Sequence, residues 1–129
     1  MSESRQGFVV TLYNEKNSSV RGAERSSWRE MFGKGTLCIS GFGHFGEVAT
    51  DGPVAYYNTS LTGTGDKYPD PKSVALTGED NYVLMTFVKK TEELIVDLKR
   101  LDGSVLHTAR YPNRIARKSN TQSSESGSR

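Results

Sequence analysis

The stretch that decides the fold is Asn81 to Tyr111, NYVLMTFVKKTEELIVDLKRLDGSVLHTARY. It holds three extended runs, Tyr82 to Val88, Glu93 to Leu101 and Ser104 to Arg110, rich in β-branched and aromatic residues. Lys89-Lys90-Thr91-Glu92 joins the first pair and Asp102-Gly103 the second. Asp-Gly between alternating runs is a strong hairpin signal, because a type I′ turn needs φ > 0 at both central residues. The stretch therefore reads as a three-stranded antiparallel meander.

Its register follows from the turns. A two-residue loop at Lys90-Thr91 sets Phe87, Met85 and Val83 opposite Leu94, Val96 and Leu98. The same loop length at Asp102-Gly103 sets Leu98, Val96 and Leu94 opposite His107, Ala109 and Tyr111. One face is then apolar across all three strands, with His107 as its polar member. The other face is mixed: Thr86 and Leu84 against Ile95 and Asp97, and Lys99 beside Leu106. A slip of one residue in either turn inverts the assignment.

Upstream, Phe8 to Tyr13, Thr36 to Ser40, Glu47 to Thr50, Val54 to Asn58 and Ser73 to Thr77 read as further strands, with Asp51-Gly52-Pro53 as a turn. Over residues 23–32, Trp28, Met31 and Phe32 fall at helical spacing, Ser27 and Glu30 form a capping-box pattern, and Gly33 closes the helix. Thr59 to Lys72 is poor in apolar residues and carries Gly63, Gly65, Pro69 and Pro71, as a long surface loop does. Residues 1–6 read as frayed, and residues 112–129 as a disordered Ser-rich basic tail. Eight strands and one short helix over residues 23–32 give a mainly β chain. The expected form is a single-domain antiparallel β-sandwich or small barrel filling residues 7–111.

A length of 129 residues suits one domain. With 34% hydrophobic and 25% charged residues the chain is globular in composition, and no run reaches the ~18 apolar residues of a membrane span. MSESRQGF has no apolar core of a secretory signal, so the expected location is cytosol or nucleus. The Asn-x-Ser sequons at Asn17 and Asn58 then carry no weight. A single cysteine, Cys38, excludes an internal disulfide and a cysteine-based zinc cluster, and its apolar run marks it as a buried thiol. Arg110, Arg114, Arg117, Lys118 and Arg129 against Glu125 give residues 110–129 a net +4, which leaves −2 for residues 1–109 of the overall +2. The basic tail is suited to weak, salt-sensitive contact with nucleic acid or an anionic surface.

The sharpest local pattern is Gly41-Phe42-Gly43-His44-Phe45-Gly46-Glu47-Val48, a GxGxxG sequence after a strand. Gly41, Gly43 and Gly46 are the candidate cofactor-binding residues, since such glycines let backbone N–H groups approach phosphate. A dinucleotide site also needs a helix opening at the loop, and Pro53 with the β-branched residues after Gly46 argues against one. The eight residues resemble the glycine-rich loop of protein kinases, with Val54-Ala55 following as in the strand that carries the kinase lysine. That resemblance implies a β-hairpin over phosphates. Tyr57 stands in the lysine's place, and the catalytic-loop and metal-binding acids of that family are absent, so no kinase catalysis is implied. The layout from Trp28 to Glu47 and on to Leu101 is similar to the C-terminal half of calcineurin-like metallophosphoesterases. SGFGHFGE stands where those have a Gly-His-x-His loop, with Phe42 in place of the first histidine. Without the Asp and His ligands of the other half, a dimetal centre does not form.

His44, His107 and Cys38 have no recognised ligand spacing, and no complete catalytic constellation is visible. The expectation is a non-enzymatic binding or interaction module without a cofactor, recognising a protein or glycan partner through its glycine-rich and long surface loops. Phe42, His44, Phe45, Tyr56 and Tyr68 are the candidate contact residues. The alternative is a nucleotide or phosphate-ester binding protein using the glycine loop. Exposed sheet edges also offer a route to a homo-oligomer.

Overall fold

A computed structural model of the chain describes residues 7–13, 29–41, 43–61 and 71–115. Eight strands occur among them: β1 Val10–Leu12, β2 Leu37–Ser40, β3 Gly46–Asp51, β4 Val54–Asn58, β5 Ser73–Thr77, β6 Asn81–Val88, β7 Glu93–Arg100 and β8 Val105–Pro112. They form a five-stranded sheet of order β1-β2-β4-β3-β5 and a three-stranded sheet of order β6-β7-β8. The chain is mainly β, and its two sheets pack as a small sandwich. Neither sheet closes into a barrel.

The meander has the expected register. Phe87, Met85 and Val83 pair with Leu94, Val96 and Leu98, and these three pair with Tyr111, Ala109 and His107. The turns that produce it differ from the expected two-residue loops. The first spans all of Lys89 to Glu92, with Glu92 at φ 53. Four residues in place of two keep the same partners opposite one another. The second is a three-residue loop in which Gly103 N donates to Arg100 O at 3.0 Å, with Gly103 at φ 90. That loop alone would shift the register by one. A bulge between Leu98 and Lys99 takes up the extra residue, so Lys99 lies opposite Val105 in place of Leu106.

The apolar face of the meander is covered best at its centre. Leu94, Val96 and Leu98 of β7 are buried, and they pack with Leu37, Val48, Ala55 and Tyr57 of the five-stranded sheet. Full burial of each such side chain is worth about 1.5–3 kcal/mol. Met85 and Phe87 of β6 stay 43% and 54% exposed, and Phe8 meets Phe87 edge to face at 5.8 Å.

The five-stranded sheet is mixed, which corrects the expectation of an antiparallel sandwich throughout. β1 pairs with β2 and β2 with β4 in parallel, while β3 runs antiparallel to both β4 and β5. Strands inside a parallel group are buried on both faces, and all five residues of β4, VAYYN, are buried. Its second face carries Cys38, Ala49, Val54 and Tyr56 against Phe32. Phe32 belongs to the helix α1, Arg29–Phe32, which falls at the C-terminal end of the expected residues 23–32. Residues 23–28, with Trp28, lie outside the described residues, as does the tail from residue 116. The expected turn at Asp51-Gly52-Pro53 is present, and it closes a hairpin of β3 and β4. Gly52 sits at φ 62 and Asp51 pairs with Val54 around Gly52-Pro53, which suits a II′-type turn with glycine first.

Candidate functional site

Strand order settles what the glycine-rich stretch is. β2 enters it and β3 leaves it, yet these strands are not neighbours, because β4 lies between them. Gly41 to Phe45 is therefore a crossover that arches over the C-terminal end of β4. A kinase-like glycine loop is the tip of a hairpin, and a dinucleotide loop opens a helix. This one does neither, since it leads straight into β3.

The position of the arch is fixed by polar groups beneath it. Ser40 pairs with Asn58 across β2 and β4, and Asn58 with Glu47 across β4 and β3. By strand alternation all three project on the α1 side of the sheet, opposite Val48 and Tyr57. They are 2%, 0% and 0% exposed. Ser40 Oγ donates to Asn58 Oδ1 at 2.9 Å, and Asn58 Nδ2 donates to the Phe45 carbonyl at 2.9 Å. Thr59 N donates to Ser40 O at 3.0 Å. Asn58 is thus committed to holding the loop, and its sequon is enclosed in the fold. A buried carboxylate such as Glu47 is a costly choice unless hydrogen-bonded or neutralised.

The corner extends into the second sheet through Asn81, the first residue of β6 and 1% exposed. Its backbone N–H donates to Ser60 O at 2.9 Å, and its carbonyl accepts from Thr59 Oγ1 at 3.3 Å. The side chain accepts from Ser60 N at 3.2 Å and donates to Glu79 O at 2.9 Å. Three of these hydrogen bonds tie the exit of β4 to the entry of β6, and the fourth holds the turn that leads into β6. Sequence reading passed over Ser40, Asn58, Glu47 and Asn81. The available signal was asparagine inside strand runs, where it is ordinarily depleted.

The glycines differ in their reasons. Gly43 has φ 93, and a Cβ there would meet the Phe45 ring at 2.5 Å. A Cβ on Gly46 would meet the Asn81 side chain at 2.7 Å and Thr77 at 2.8 Å. At Gly41 the nearest atom to a Cβ is Thr59 O, at an ordinary 3.6 Å. The fold itself thus requires Gly43 and Gly46.

The expected contact residues separate in the same way. His44 is exposed and held at φ 58. Phe45 and Tyr56 are 1% and 2% exposed, so both are core side chains, and neither is an exposed loop residue. Phe42 and Tyr68 lie outside the described residues.

Cys38 is enclosed as expected, and burial pushes its thiol up to about 12, against a smaller opposing effect from the Thr11 side chain. Such a thiol is no nucleophile at neutral pH. Tyr57 and Tyr111 share a hydrogen bond of 2.8 Å between the two sheets, and burial raises both phenols. His107 lies on the core face with Nδ1 unpartnered among the described residues, and burial lowers its pKa. Among the described residues no three His, Cys, Asp or Glu gather as a metal site, and no helix is long and apolar enough to cross a membrane. An open groove of about 500 Å³ lies at the opposite end of β4, between α1 and the Asp51 to Val54 turn, with Tyr56 in its lining.

The architecture is that of a β-sandwich module with a mixed sheet and a polar corner under a glycine-rich crossover. No protein-family model matches the chain. The curated proteins contain no match to it either. Among solved structures it is similar to one described as "GAP50 the anchor in the inner membrane complex of Plasmodium", at a TM-score of 0.63 and 16% identity. The likeness covers 84% of this chain and 37% of that one, and at this identity it is a likeness of fold.

Proposed function

We propose that the chain is a non-enzymatic interaction module that recognises a protein or glycan partner through the loops at the C-terminal ends of β2 and β4. The observation that carries this reading is the corner itself. Exposed His44 stands on a crossover whose underside is bonded to Asn58 and whose neighbour Phe45 is locked in the core. A rigid base under an exposed loop presents contact groups at little ordering cost. The similar Plasmodium protein is described as an anchor, and this supports the reading by analogy of fold alone. The basic residues beyond Pro112 would add salt-sensitive contact with an anionic surface or nucleic acid. The test is a pull-down comparing the wild-type chain with His44→Ser and Phe42→Ser. A partner retained by the wild type and lost by variants with unchanged melting temperature is expected; equal retention by all three overturns the reading.

One observation favours a second reading. The crossover lies at the C-terminal ends of the parallel strands β2 and β4, where open α/β sheets hold ligands. A nucleotide or phosphate ester would meet backbone N–H groups of Gly41 to Gly46 there. The carboxylate of Glu47, one residue past Gly46, opposes an anion and places this reading second. A rise in melting temperature with ATP or inorganic phosphate, surviving deletion of residues 116–129, would favour it. Absence of any shift would remove it.

A further inference from the structure

The two ends of the meander carry opposite charge. At one end Glu79, Asp80 and Asp102 stand with Arg100, a net −2, and Arg100 pairs with Glu79. That end adjoins the polar corner, because Asn81 N donates to Ser60 O. At the other end the β6 to β7 loop and the residues just after β8 hold Lys89, Lys90 and Arg114 against Glu92, a net +2. Arg117 and Lys118 follow directly in sequence. Glu93, the next acid along, is taken up by Arg110 at 3.7 Å.

The basic end is one connected surface. Asn113 N donates to Glu92 O and Arg114 N to Gly7 O, each at 3.1 Å, and Phe8 packs on Phe87. Lys89 and Lys90 are exposed and form no ion pair among the described residues. Arg114 Nη1 has no hydrogen-bond partner among them either. Two large apolar side chains stand beside these cations. Phe87, two residues before Lys89, is 54% exposed, and Ile115, next to Arg114, is 46% exposed. A single exposed apolar side chain is ordinary. Apolar side chains set among unpaired cations match a boundary where an anionic layer overlies hydrocarbon.

We propose that this end of the meander docks peripherally on an anionic lipid surface, with Lys89, Lys90 and Arg114 at the headgroups and Phe87 and Ile115 entering the acyl boundary. Charge complementarity selects an anionic partner, and the apolar pair selects lipid over nucleic acid. Phosphates of a nucleic acid would hold the cations equally well, but Ile115 has no ring with which to stack on a base. The acidic end, with the glycine crossover near it, then faces away from the surface. This inference shares only the basic tail with the proposed function and does not depend on the loop reading.

The test is co-sedimentation of the full chain with phosphatidylcholine vesicles, with and without phosphatidylserine, at physiological salt. Binding to the anionic vesicles alone is expected. Lys89→Gln with Lys90→Gln should weaken it about 25-fold, at about fivefold for each cation lost. Deletion of residues 116–129 should leave binding that still responds to the two lysine substitutions. A nitrobenzoxadiazole dye on Ile115→Cys should shift its emission to the blue with the anionic vesicles, while the buried Cys38 stays unlabelled. Four results overturn the proposal: no binding to anionic vesicles, binding that depends on the tail and is untouched by the lysine substitutions, no blue shift of the dye, or tighter binding to a single-stranded oligonucleotide than to the vesicles.

Discussion

The meander, whose strands are each eight residues long, and the mixed sheet, whose strands run from three to six, are organised by opposite means. In the meander every strand pairs with the next in sequence, and its apolar face is set by local turns. In the mixed sheet β3 and β4 alone form a hairpin, while the glycine crossover carries the chain from β2 past β4 to β3, and β1 reaches β2 across residues 13–36. A turn can change length in the meander and leave the pattern intact, as the four-residue loop and the compensated bulge do. The crossover has no such parity to protect it. Its position depends on Ser40, Asn58 and Asn81, each buried and hydrogen-bonded.

The comparison can be broken most forcefully at the centre of the meander. Val96 is 0% exposed, and Val96→Asp places an unpaired carboxylate between the sheets. A loss of roughly 4 kcal/mol or more is expected in denaturant titration, enough to unfold a marginal domain. Lys99→Asp at the partly exposed end of the same strand should cost well under about 1 kcal/mol. Equal losses would contradict the face assignment.

A smaller but still large effect is expected at the corner. Asn81→Ala keeps the backbone bonds and removes both side-chain bonds, which strands the Ser60 N–H and the Glu79 carbonyl. About 2–3 kcal/mol should be lost in chemical denaturation. Asn58→Ala should behave similarly, and the double variant should cost less than the sum because the two residues hold one corner. Strict additivity would mean that the two sites act separately.

The smallest effect concerns His107, whose folded pKa lies below the ordinary histidine value because burial disfavours the imidazolium. The unfolded chain then binds the proton more readily, so this group's stability contribution is full above about pH 6.5 and is lost as pH falls through the folded pKa. His107→Phe should flatten that part of the melting-temperature profile relative to wild type. A slope identical in both proteins would show that the imidazole plays no part.

Much of the meander was legible because its signals are local: alternation in Tyr82 to Arg110, and Asp-Gly as a turn. The type of turn was not legible, since Asp102-Gly103 fits a two-residue loop and a three-residue loop with Gly103 at positive φ equally well. Strand order in the mixed sheet was hidden for a different reason. Leu37 to Ile39 and Val54 to Tyr57 are near-continuous apolar runs, a pattern that marks strands covered on both faces, but nothing local says that β4 inserts between β2 and β3. The GxGxxG spacing drew the reading toward phosphate, although two of its glycines are accounted for by the Phe45 ring and by Asn81 and Thr77. Phe45 and Tyr56 were read as contact residues because aromatic side chains suit both cores and interfaces, and burial alone separates the two uses.

The central claim is that the glycine-rich stretch is a structural crossover. Thermal unfolding of Gly41→Ala, Gly43→Ala and Gly46→Ala tests it most directly. Melting temperature should fall by several degrees for Gly43→Ala, through its φ of 93 and the Phe45 ring, and for Gly46→Ala, through Asn81 and Thr77, and stay near wild type for Gly41→Ala. Wild-type stability in all three, with ATP or phosphate binding lost at Gly43 or Gly46, would contradict the account and make the stretch a ligand loop.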